Sequence, residues 1–103
     1  MEANAAVAAL GALAQDSRLE VFRLLVRQGP EGLPAGRVAE ALGIPPATLS
    51  FHLAQLGHAG LVRSRREGRR IIYSADYDGM QELIAFLTEK CCQPARGGRA
   101  RKC

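Results

Sequence analysis

Apolar residues recur at helical spacing through most of the chain and give way to strand-like runs only once. From Ala3 to Ala14 the sequence is small and apolar nearly all round, which predicts a helix with no solvent face of its own. In so short a chain the covering surface is expected to be a second subunit. Leu19, Phe22, Leu25 and Val26 form the inward stripe of a second helix, capped by Asp16 or Ser17 and ended by Gly29-Pro30. Pro34 suits the first turn of a third helix, Ala35 to Leu42, whose stripe is Val38 and Leu42. After Gly43-Ile44-Pro45 a fourth helix starts near Pro46 and runs out between Gly57 and Gly60. It places Leu49, Leu53 and Leu56 on one face at i, i+4, i+7. Leu61 to Arg66 and Arg69 to Ser74 are rich in β-formers and flank Glu67-Gly68, the pattern of a tight hairpin. Asp76 or Asp78 then caps a last helix to about Cys92, with Met80, Leu83, Ile84 and Leu87 in its stripe.

The expected order is therefore ααααββα, a mainly α (α+β) chain. Two short amphipathic helices joined by a tight turn, followed by a hairpin, are a winged helix-turn-helix whose second helix is shaped to enter a DNA major groove. The outward face of that helix holds Thr48, Ser50, Phe51 and Gln55, with His52 toward the core edge. Thr48 and Ser50 can donate to phosphate or base edges, Gln55 has the amide geometry for adenine, and Phe51 can lie on a thymine methyl. For His52, packing or a phosphate contact is expected rather than base readout. Residues 1–92 are read as a DNA-binding and dimerising domain and residues 93–103 as a flexible basic tail.

Charge sharpens this picture by its location. The formal net charge is +4, and the segment from Pro94 to Cys103 alone carries Arg96, Arg99, Arg101 and Lys102 with no acid. Within the neutral body, Arg65, Arg66, Arg69 and Arg70 crowd the hairpin tip with one acid, Glu67, between them. This density is expected of phosphate or minor-groove contact. No apolar run reaches the length of a membrane span. The run from Ala5 to Leu13 lacks the basic flank of a signal peptide and follows Glu2, so it reads as a dimerisation helix in a cytoplasmic protein.

The three cysteines, Cys91, Cys92 and Cys103, all lie at the C-terminal end, and an odd count with none in the body is no disulfide framework. If the last helix continues to residue 92, Cys91 falls about 20° from the apolar stripe and Cys92 about 100° further round. Adjacent side chains at that offset can both reach one ion. Three soft thiolates without histidine suit a trigonal, lone-pair ion such as arsenite or antimonite. No cofactor motif and no base near the thiols point to an enzyme.

Leu13-Ala14-Gln15-Asp16-Ser17-Arg18-Leu19, Leu42-Gly43-Ile44, Thr48-Leu49-Ser50-Phe51-His52-Leu53, Leu56 to Val62 and Arg69-Arg70-Ile71-Ile72-Tyr73 together resemble the ArsR/SmtB family of metalloregulatory repressors. The resemblance implies a homodimer, paired through its N- and C-terminal helices, that represses a promoter until a metal ion releases it. The family often has Ser where Pro45 stands, and a polar residue where Phe51 stands. The family's Cys-x-Val-Cys site is absent from Pro34 to Leu42, and the last helix offers Asp76 and Asp78 but no His for the family's zinc site. The terminal thiols resemble those of the arsenic-responsive members. Oxidation of the same thiols would make a redox-sensing repressor of the same fold, the alternative expectation.

Overall fold

The computed structural model describes residues 1–89. Its elements are α1 (Ala3–Leu13), α2 (Asp16–Gln28), β1 (Leu33–Pro34), α3 (Ala35–Leu42), α4 (Pro46–His58), β2 (Val62–Glu67), β3 (Arg70–Ala75) and α5 (Tyr77–Leu87). The expected winged helix-turn-helix is present, with one strand more than expected. β1 pairs antiparallel with β3, Leu33 opposite Tyr73 and Pro34 opposite Ile72, giving the sheet order β1-β3-β2. Gly32 makes this pairing possible: its φ is +68°, and a Cβ there would overlap the Tyr73 carbonyl.

One core joins these elements. Val21, Phe22 and Leu25 of α2, Val38 and Ala39 of α3, and Leu49, Leu53 and Leu56 of α4 meet Leu61, Val62, Ala75 and Leu83. The inward stripe of α2 thus runs through Val21, not Leu19. The two positions lie about 200° apart on a helix, and Leu19 is 41% exposed. The cap also differs from expectation: Gln15, not Asp16 or Ser17, accepts the Arg18 backbone N–H at 2.8 Å. Arg18 then closes the α1–α2 corner by donating from Nε to the Ala12 carbonyl at 2.7 Å.

The hairpin register is shifted by one residue from the sequence-based expectation. Glu67 pairs with Arg70, Arg66 with Ile71 and Arg65 with Ile72, so the turn is Gly68-Arg69. Gly68 supplies the positive φ, 62°, at the first turn position. A turn at Glu67-Gly68 would have set Arg66 opposite Arg69 and Arg65 opposite Arg70. Like charges directly across a strand pair repel. In the observed register no arginine faces another.

At the chain's other end Asp76 caps α5, its Oδ1 accepting from Gly79 N at 3.0 Å. Tyr77 Oη donates to the Val26 carbonyl at 2.9 Å, fastening α5 to the last turns of α2. The expected run of this helix to Cys92 is cut at Leu87. The Thr88 hydroxyl donates back to the Ile84 carbonyl at 2.7 Å, and Glu89 N–H turns to Phe86, closing the helix. Cys91, Cys92, Cys103 and the basic tail lie outside the described residues. Among those described, no helix is long and apolar enough to cross a membrane.

Candidate nucleic-acid interface

The reading helix is positioned from beneath. Gly43, at φ 65°, ends α3 in the left-handed conformation, and the Ile44 N–H reaches back to the Ala39 carbonyl at 3.1 Å. Pro45 and Pro46 then fix the entry of α4 with no side-chain cap. Pro46, within the first turn, lacks an N–H that would need a partner there. Leu49, Leu53 and Leu56 press α4 onto α2 and α3, which leaves the opposite face to solvent.

The structure brings together some of the expected contact residues and separates others. Thr48, Ser50 and Phe51 are exposed, and Phe51 presents 57% of its surface. Gln55 is half-buried on the flank. His52 is turned inward, only 6% exposed, so it supports α4 from below and does not reach a base. Its Nδ1 has no hydrogen-bond partner. Burial first, and the Arg18 charge second, push its pKa below the usual 6.5, which keeps the imidazole neutral near pH 7. The Phe51 ring meets it edge-on, with centroids 6.0 Å apart.

The four wing arginines also divide. Arg65 is occupied within the fold: Nε and Nη2 hold Glu67 Oε2 at 3.0 and 2.9 Å, and Nη2 donates to the Glu31 carbonyl at 2.8 Å. It braces the hairpin to the loop after α2 and is not a free phosphate ligand. Arg66, Arg69 and Arg70 are exposed and make no side-chain hydrogen bond or ion pair among the described residues. These three remain as unengaged cations at the tip. Two residues that periodicity missed also face this region. Ser64 and Tyr73 are direct cross-strand partners on the hairpin side that borders α4. Only the register, not composition, could have signalled them.

A helix-turn-helix domain model matches residues 13–65, which spans α2 through α4 and most of β2. The HTH-type transcriptional regulator YgaV of Escherichia coli is 32% identical over 90 residues, covering 87% of this chain and 89% of the relative. An ArsR-like transcriptional regulator from Rhodococcus superposes with a TM-score of 0.74 at 26% identity, over 82% of this chain and 76% of that one. A homodimeric winged helix-turn-helix DNA-binding domain from Mycobacterium bovis, itself a possible ArsR-family regulator, gives a TM-score of 0.69 at 29% identity. It covers 84% of this chain and 81% of its own. The recognition helix, the wing and these likenesses converge, and the chain belongs to the ArsR/SmtB family of helix-turn-helix transcriptional regulators, DNA-binding proteins and not enzymes.

Proposed function

We propose that the protein is a metal(loid)-responsive repressor that binds an inverted-repeat operator as a homodimer in the cytoplasm. The observation that carries the DNA reading is the outward face of α4, with Thr48, Ser50 and Phe51 exposed beside a wing tip of three unengaged arginines. Thr48 and Ser50 serve backbone or base edges, Gln55 an adenine edge and Phe51 a thymine methyl. Arg66, Arg69 and Arg70 neutralise phosphate or enter the minor groove. Pairing is supported by the large apolar residues left outside on the two terminal helices, Val7 and Leu10 on α1 and Ile84 and Leu87 on α5. Two reading helices related by a twofold axis reach half-sites about 34 Å apart.

The effector is trivalent arsenic, or antimony, held by Cys91, Cys92 and Cys103. The support is the donor chemistry: three thiols gathered at one end of a chain with no other cysteine. A 100-fold loss of DNA affinity on ion binding requires about 2.7 kcal/mol of coupling. The test is a gel-shift titration of the bound operator with arsenite, antimonite, zinc and cadmium. Arsenite should release wild type, and Cys91→Ser/Cys92→Ser should bind the operator normally and ignore arsenite. Release of that double variant by arsenite overturns the thiol site, and release of wild type by peroxide in metal-free buffer supports the redox alternative.

A further inference from the structure

Between the C-terminal half of α4 and the wing lies a notch of about 280 Å³. Its α4 side is a stripe at helical spacing, Ser50, Ala54, Gly57 and His58, and its wing side includes Ser64 and Tyr73. The two wing residues face each other across the hairpin. Small residues keep the notch open: Ala54 is exposed, and a Cβ added at Gly57 would lie 3.9 Å from the nearest atom, the Val62 carbonyl oxygen. Close packing therefore does not demand glycine at 57.

The chemistry of the lining is one-sided. The hydroxyls of Ser50, Ser64 and Tyr73 make no hydrogen bond among the described residues, and no carboxylate lines the notch. The other principal depressions of the surface each include at least one carboxylate, among them Asp78, Glu82 and Glu20. Three idle O–H donors, with His58 and Arg63 in the wall and no acid, form a lining that accepts an anion. The notch also lies beside the exposed Phe51 face on one side and on the hairpin that leads to the arginine tip on the other.

We infer that this notch seats one backbone phosphate of the bound duplex, held by the hydroxyls of Ser50, Ser64 and Tyr73. The inference rests on the DNA reading above and deepens it. Phosphate contacts of this kind carry no sequence information but fix the register of a reading helix on its site. The seat sets how far α4 enters the groove, with the arginine tip gripping further along the same strand.

The test uses the full chain and an operator duplex enriched by the wild-type protein from a random pool, with binding read by fluorescence anisotropy. Single neutral methylphosphonate linkages are placed along the duplex in turn. Wild type should lose about tenfold or more at one position per half-site, the weight of hydrogen bonds to a charged acceptor. Ser64→Ala/Tyr73→Phe should be weaker by a similar factor on the unmodified duplex and indifferent to the modification at that position. Its thermal melting should match wild type, since neither hydroxyl bonds within the fold. Ala54→Leu, which fills the notch from an exposed position, should weaken binding as well.

Wild-type affinity in the hydroxyl double variant overturns the seat while leaving the DNA reading in place. So does an undiminished penalty at every modified linkage. Displacement of DNA by inorganic phosphate at matched ionic strength, with no position-specific penalty, would reassign the notch to a free anion. Failure of the wild-type protein to enrich any duplex overturns the DNA reading and the seat together.

Discussion

Helices α1 and α4 are both rich in apolar residues, yet they spend them in opposite ways. α4 buries its large ones, with Leu49, Leu53 and Leu56 all in the core, and exposes a polar face broken by Phe51. α1 buries only Ala6 and Ala9 and leaves Val7 67% exposed. α5 resembles α1: Leu83 faces in, while Ile84 and Leu87 stand at 45% and 55% exposure. The reading helix is thus completed by its own chain, and the terminal helices are not. Burying small residues inward lets α1 lie close to the domain, and the large side chains remain for a second surface. The contrast places the stability of the head in α4 and, in the proposed homodimer, the stability of the pair in α1 and α5.

Substitutions can break that division at either end. Leu56→Ala empties a fully buried site on α4 and should cost about 2–5 kcal/mol in denaturant unfolding. Val7→Ala should leave the unfolding of the isolated subunit nearly unchanged. Ile84→Glu with Leu87→Glu should spare secondary structure and weaken self-association by roughly 100-fold, about 3 kcal/mol. The reason is that carboxylates would be desolvated without partners. Sedimentation across a concentration series reads this directly, and an unchanged dimer would move the interface elsewhere. Phe51→Ala should melt like wild type and lose about 1–3 kcal/mol of operator affinity, concentrated at one base step. Equal loss of stability and affinity would return Phe51 to the core.

The smallest effect expected is titration of His52. Its folded pKa lies below the unfolded 6.5, so the unfolded chain takes up a proton first as pH falls. The stability contributed by neutral His52 is whole above pH 6.5 and is lost as pH drops from there through the folded pKa. His52→Leu should flatten the difference in melting temperature between about pH 7.5 and 5.5 relative to wild type. A slope unchanged by the substitution would assign that pH dependence to other groups.

What could be read in advance follows from how many residues repeat a signal. α4 extends over thirteen residues and shows its period plainly, so its core face and Phe51 were legible. β1 has two residues, too few for any period, and is defined only by its partners Ile72 and Tyr73. The sequence of α2 does not decide its inward face, because Leu19 and Val21 are equally apolar, and only the neighbours of the helix choose between them. The hairpin turn lies one residue later than Glu67-Gly68 suggests, and the crowding of arginines that the earlier register would produce is visible in the sequence. Arg65 looked like its three neighbours. The carbonyls of Pro30 and Glu31 that hold it lie 35 and 34 residues away along the chain. His52 was expected at the core edge and lies further in than that.

The Arg65 brace sets the mechanics of the wing. It pins the hairpin partway along, against carbonyls just beyond the α2 end to which Tyr77 ties α5. Past the pin only Arg66 and Glu67 remain on β2, with Arg70 and Ile71 on β3 and Gly68-Arg69 between them. The overhang is a stub of three or four residues, about 10 Å at strand rise. An arm that short cannot sweep in search of a strand. It delivers its charge to a nearly fixed point, and where that point falls is decided by how the whole body is tilted on the duplex.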